Sequence, residues 1–219
     1  MRIQRALVIG ATSGVGRATA GALRNAGVGV VASGRERDAT DPAQVSALLE
    51  EADPELVVVA AGTRPRMASI EEQTWESFSA PWNTDVKIAF DVGRASLAKP
   101  LRRGSTVVIV SSGAGVNPNG SPMSGGYAGA KRMQMFLAGY LQRGSDAREL
   151  GIRFVAVAPM QFIVGTRIGE AAAATYGAGD WPVPLDPAGV AQAILVVASD
   201  EEHRGATVLG VTGEGIKAI

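Results

Sequence analysis

Tyr127 and Lys131 are the residues whose types and spacing most directly suggest chemistry. In Tyr127-Ala128-Gly129-Ala130-Lys131 they stand four apart within a helical pattern, so phenol and ammonium share one helix face. A nearby ammonium favours the phenolate and lowers a tyrosine's pKa, which suits Tyr127 to general acid/base work near neutral pH. Ser112 ends the preceding strand pattern fifteen residues earlier. A hydroxyl there is placed to hold a carbonyl or alcohol oxygen facing Tyr127. A serine closing a strand and a tyrosine packing a helix would look the same, so the trio gains meaning only from a fold that gathers it.

The second chemical feature is Gly10-Ala11-Thr12-Ser13-Gly14-Val15-Gly16, a glycine turn between a strand and a helix. Unpaired N–H groups and the helix dipole make such a turn an anion site. Glycines also let the backbone approach a pyrophosphate closely. The spacing is GxxxGxG rather than GxGxxG, and glycine turns also join strands to helices with no ligand at all. The next strand ends at Ser33-Gly34-Arg35. An acidic residue there would take the ribose 2′-OH of NAD, whereas an arginine accommodates the 2′-phosphate of NADP. Arg35, with Arg37 beside it, points to NADP (NADPH), against a plain pair of solvated arginines.

The elements that must position these groups alternate. Apolar runs at 5–9, 28–33, 55–60, 105–111, 152–158 and 206–212 read as strands. Helical patterns fill about 15–25, a stretch opening at Asp41-Pro42, 74–99, 123–150, and a last one capped by Asp186-Pro187 and running to about 199. Continuous apolar strands alternating with helices predict an α/β, doubly wound, mostly parallel sheet (Rossmann-like), covered on both faces. One domain over 1–219 is expected. Ligands bind such sheets at the carboxyl ends of the strands, so Gly10, Gly62, Ser112 and Pro159 should border one cleft.

On these residues the chain resembles a short-chain dehydrogenase/reductase of the compact single-domain branch, nearly end to end. Gly10, Gly14 and Gly16 fit the cofactor loop, with Ile9 where a Thr usually precedes it. Ala60-Ala61-Gly62 resembles the Asn-Ala-Gly segment, Ser111-Ser112 with Tyr127 and Lys131 the catalytic set, and Glu149 to Arg153 followed by Pro159 the approach to the nicotinamide. Val211-Thr212-Gly213-Glu214-Gly215 resembles the C-terminal glycine signature. The resemblance implies hydride transfer between nicotinamide and a small carbonyl or alcohol substrate. Tyr127 would pass the proton, Ser112 would hold the oxygen, and Lys131 would bind the nicotinamide ribose. It implies cofactor contacts at Gly10, Thr12, Ser13, Gly14, Val15, Gly16, Arg35, Asp38, Ala39, Ala61, Gly62, Tyr127, Lys131, Pro159 and Thr166. It also implies a homodimer or homotetramer through the helices carrying Asp85 and Tyr127.

Three departures from the family's pattern stand out. Asp85 takes the place of the usual Asn of a proton relay, while Asn83 would point from a different helix face. A carboxylate there would make Lys131 hold its proton more firmly. Met160 replaces the usual Gly after Pro159, and Thr166 lies later than the family's carboxamide-contacting Thr. Only two residues separate Arg35 from Asp38, where a helix and an edge strand usually lie. One edge unit is therefore expected to be deleted, leaving about six strands with the second at the edge, unless residues 36–40 make a stub of strand. These changes leave room for non-redox chemistry on the same fold (dehydration, cyclisation or elimination), or for a non-catalytic NADP-binding protein, which would not need the trio.

Composition narrows the rest. With 46% hydrophobic and 19% charged residues the chain is no disordered tail. Equal counts of 21 basic and 21 acidic residues argue against a nucleic-acid partner. No Cys and a single His (His203) argue against a metal site or a Ser-His-Asp triad. Apolar runs fall short of the roughly 20 residues of a bilayer span, so a cytoplasmic location is expected. The loop at about 161–185, with Trp181 in it, falls where a substrate lid belongs. Trp75 and Trp82 read as core or interface.

Overall fold

A computed structural model describes residues 3–117, 123–177, 184–199 and 202–219. In chain order the elements are β1 (Arg5–Ile9), α1 (Gly14–Asn25), β2 (Gly29–Ser33), α2 (Pro42–Ala52), β3 (Leu56–Val59), α3 (Trp75–Pro81), α4 (Lys87–Ala98), β4 (Thr106–Val110), α5 (Gly125–Ala147), β5 (Arg153–Pro159), α6 (Arg167–Tyr176), α7 (Pro187–Ser199), β6 (Val208–Thr212) and β7 (Gly215–Ala218). The seven strands form one sheet in the order β2-β1-β3-β4-β5-β6-β7. β1 to β6 are parallel, and β7 folds back antiparallel on β6.

The central strands are largely apolar because both faces are covered. Leu7, Ile9, Val57, Val59, Val107 and Ile109 point into the cluster that α2, α4 and α5 close. Their neighbours Ala6, Val8, Leu56, Val58 and Val108 point into the other, beneath α1 and α7. The period-2 alternation thus distributes apolar side chains to two cores.

The strand count is one more than the sequence suggested. β7 is a four-residue segment whose side chains are half-buried or exposed, so it carries no apolar run to read. β2 does lie at the sheet edge. After Ser33 the chain turns directly into α2 with no strand among residues 34–41. Instead Asp38 accepts from the Thr40 amide and hydroxyl at 2.9 and 2.7 Å, a local turn that seats Ala39 in the core.

Two helical readings also change. The 74–99 stretch is interrupted: α3 ends at Pro81, a π-helical turn runs Trp82–Val86, and α4 follows. Proline removes a helical donor and crowds the preceding turn, and a π-turn is one way the helix absorbs this. The 161–185 segment, expected as a loop, contains α6, capped by Thr166, whose hydroxyl accepts from the Gly169 amide at 3.0 Å. Trp181 lies outside the described residues.

Candidate functional site

The carboxyl ends of β1, β3, β4 and β5 open onto a cleft of about 690 Å³, and a smaller cavity of about 360 Å³ continues from it. Ser112, Tyr127, Lys131, Pro159 and Gly62 line the larger. Gly10, Thr12, Asp38, Ala39 and Ala61 line the smaller, while Ser13, Gly62 and Arg35 line both. The residues singled out in the sequence therefore converge, with Ser112, Tyr127 and Lys131 in the larger cleft and the segment from Arg35 to Ala39 at the smaller cavity.

The glycine turn is fixed by close approach. Gly10 has φ +89°, and a Cβ there would fall inside the Ala61 backbone. A Cβ on Gly16 would fall on the Gly10 carbonyl. Both Gly10 and Ala11 donate to the Ser33 carbonyl, at 2.8 and 2.9 Å, which ties the turn to the end of β2. The result is a tight backbone cradle at the start of α1, where helix amides stand free and Ser13, Gly14, Val15 and Arg17 line the cleft.

At the other end the catalytic candidates are locked by their neighbours. Ser111 donates to the Lys131 carbonyl at 2.7 Å, pinning the strand end to α5. Ser112, next along, accepts from the Ala114 amide at 3.3 Å and lines the cleft. A Cβ on Gly113 would sit 2.9 Å from Met160 Cα, so this loop and the Pro159-Met160 turn pack backbone to backbone. Met160 keeps its side chain against Gly210, with Sδ 3.5 Å from where a Cβ there would lie.

Lys131 is buried. Its Nζ donates to Gln134 Oε1 at 3.1 Å and to the Val110 carbonyl at 3.3 Å, and lies 3.1 Å from Asp85 Oδ2. It also sits 5.4 Å from the centre of the Tyr127 ring, within cation–π range. Asp85 comes from the π-turn and is fully buried. Its other oxygen accepts from the Thr63 amide at 2.8 Å, and its carbonyl accepts from Gln134 at 3.0 Å. A Cβ on Gly62 would lie 2.8 Å from Asp85 Oδ2, so the glycine after β3 makes room for the carboxylate. Burial opposes the Lys131 charge, yet the Asp85 carboxylate and the Tyr127 phenol outweigh it and hold the lysine pKa above its ordinary value. Asp85 thus lies directly against Lys131, and the ammonium nitrogen has three protein oxygens within 3.3 Å.

The Arg35 end also differs from expectation. Arg35 is exposed and lines both cavities, whereas Arg37 is paired with Glu51. Glu36 folds back so that its carboxylate accepts from the Gly34 amide at 2.6 Å. That amide and its own backbone hold the Glu36 pKa below the usual range. A carboxylate therefore stands near the end of β2, two residues beyond where the sequence was searched for one.

α6 closes over the cleft. The Thr166 hydroxyl donates to the Ile163 carbonyl at 2.8 Å, and its methyl lies 3.3 Å from where a Cβ on Gly14 would be. Thr166 thus sits above the glycine turn. At the helix's far end the Tyr176 hydroxyl accepts from the Met123 amide at 3.3 Å and lies 3.4 Å from Ser124 Oγ, just ahead of α5. Sequence reasoning missed Gln134, Glu36 and Tyr176. Only Gln134 carried a signal, lying three residues from Lys131 on the same helix face.

No family model and no curated protein matches the sequence. Solved structures do. A small-chain dehydrogenase in complex with NADPH superposes with a TM-score of 0.80 at 19% identity, covering 97% of this chain and 98% of its own. A short-chain dehydrogenase from Burkholderia cenocepacia in complex with NADP gives 0.76 at 22% identity, covering 95% of each chain. The ligand-free aldohexose dehydrogenase of Thermoplasma acidophilum gives 0.77 at 21%, covering 96% of this chain and 92% of its own. The chain has the short-chain dehydrogenase fold, as the sequence resemblance implied.

Removing one partner of a buried ion pair costs about 3–5 kcal/mol, and Asp85→Ala should lose stability of that order in chemical denaturation. Asp85→Asn, which keeps the shape and the Thr63 contact, should lose less. Because the folded lysine pKa is raised, the pair's contribution is complete below about 10.4, the unfolded value, and is lost as pH rises through the folded one. Wild type should therefore lose stability more steeply than Lys131→Met between pH 10 and 12.

Proposed function

We propose that this chain is an NADP(H)-dependent oxidoreductase acting on a small carbonyl or alcohol compound. The observation that carries the reading is the convergence of Ser112, Tyr127 and Lys131 on one cleft with a glycine cradle at its opposite end. The bare backbone at Gly10, Gly14 and Gly16 fits a pyrophosphate, Arg35 fits a 2′-phosphate, and Asp38 and Ala39 border the space for an adenine. NADP or NADPH is bound in fold neighbours, which supports the same group here. When bound, the nicotinamide supplies the hydride.

The protein's part is position and proton. Tyr127 passes a proton to or from the substrate oxygen, which Ser112 holds by hydrogen bond. Lys131, kept charged by Asp85, presents a fixed positive charge over the Tyr127 ring. The rigid placement follows from the Ser111 anchor and the Asp85–Gln134 bracket. Tyr127→Phe should lower NADPH-coupled reduction of a carbonyl panel by at least a hundredfold, as general acid/base catalysis is worth about 10²–10⁴, while NADPH binding stays within a few-fold.

A second reading, non-redox chemistry on the same fold, draws on the direct Asp85–Lys131 pair, because it engages an ammonium that would otherwise face a ribose. Reductase activity measured after Asp85→Asn decides between them: an increase marks the aspartate as a specialisation away from redox work, and a decrease supports the first reading.

The cofactor end gives its own test. Arg35→Ala should weaken NADPH at least tenfold in a fluorescence titration and leave NADH nearly unchanged. Glu36→Gln should strengthen NADPH severalfold, since the Glu36 carboxylate occupies an amide beside the proposed phosphate position and repels an incoming anion.

Phe90 on α4 and Phe136 and Tyr140 on α5 are exposed, and the last two rings stack at 6.5 Å. These helices are the proposed contact of a homodimer or homotetramer, and the cytoplasm is its proposed location. Phe136→Glu combined with Tyr140→Glu should convert the oligomer to a monomer by light scattering.

A further inference from the structure

Arginines are spread unevenly over this molecule. The larger cleft is lined by Arg17, Arg35, Arg64, Arg167 and Lys131 and, among the described residues, by no aspartate or glutamate. The chain as a whole carries zero formal charge. Lys131 is neutralised by Asp85. Arg35 and Arg167 also line the adjoining cavity, and Arg17 lies in the first turn of α1 beside the glycine cradle. Those three cations stand along the proposed course of the cofactor's phosphates.

Arg64 is a cation left over. It lines only the larger cleft and stands next to Thr63, whose amide holds Asp85 beneath Lys131. Ser112, Tyr127, Met67, Phe162 and Tyr176 share that cleft. Arg64 is exposed and, among the described residues, has neither an acidic partner nor a hydrogen bond. A guanidinium in this state is hydrated until a ligand arrives and binds a carboxylate through two parallel N–H bonds.

We propose that the substrate is an anionic carbonyl compound, with a carboxylate on an apolar body, and that Arg64 anchors the carboxylate while the carbonyl faces Ser112 and Tyr127. The proposal rests on reading the cleft as the substrate site of an oxidoreductase, and goes beyond that reading by fixing the charge of the substrate. Met67, Phe162 and Tyr176 supply the apolar surface for the body. Arg64 acts on binding and specificity and moves no proton.

The test compares matched pairs that differ only in charge: levulinate and benzoylformate against their methyl esters. Each is titrated calorimetrically into the full chain with and without NADPH. The acid of at least one pair should bind fivefold or more tighter than its ester. Arg64→Met should bring that pair within twofold by weakening the acid alone, with NADPH affinity unchanged within twofold. The proposal is overturned if no acid is preferred, if Arg64→Met weakens acid and ester alike, or if it weakens NADPH instead. An Arg64-dependent acid preference in a protein that oxidises no NADPH supports the anion site and overturns the redox reading. NADPH oxidation with no preference for the acid does the reverse.

Discussion

The buried pair of Asp85 and Lys131 is the constraint around which the candidate site is built. Neither charge survives burial alone, because removal from water costs each ion several kcal/mol. Each therefore requires the other, and the chain bends to bring them together. α3 ends at Pro81 and the π-turn places Asp85 inward. Gly62 gives up a Cβ to admit the carboxylate. Gln134 ties the lysine to the Asp85 backbone. A charge fixed in this way keeps its orientation toward Tyr127 without needing a ligand, which is the preorganisation that acid/base work requires.

The sheet explains why everything reactive meets at one end. Parallel strands deliver their carboxyl termini to the same edge, so Gly10, Gly62, Ser112 and Pro159 arrive together although up to 149 residues separate them in sequence. The two cores are ordinary aliphatic packing, and little polar chemistry lies within them. The candidate site lies where the strands run out and backbone groups lose their ladder partners.

Much of this was legible in the sequence because it is local. β1 shows as Arg-Ala-Leu-Val-Ile, the glycine turn as its spacing, and Tyr127 with Lys131 as one helical turn. What was not legible depends on tertiary contacts. The residue types of Trp82–Val86 do not distinguish a π-turn from an α-helix. β7 lacks an apolar run and exists because β6 offers it a ladder. The pull of Glu36 back onto the Gly34 amide depends on a turn shortened by the missing edge unit. α6 was hidden differently: its alanines favour helix and Thr166 is a good cap, but glycines on either side made the segment look like a loop.

On the proposed function, the sheet's open margin at β2 links architecture to cofactor choice. Among the described residues no strand lies beyond it, and the chain from Gly34 to Asp38 leads straight into α2. Arg35 and Asp38, proposed as cofactor contacts, thus lie in the segment that terminates the sheet. On the proposed function, growth or loss of a strand at that margin would rewrite dinucleotide preference while leaving Ser112, at the end of β4 three strands inward, untouched.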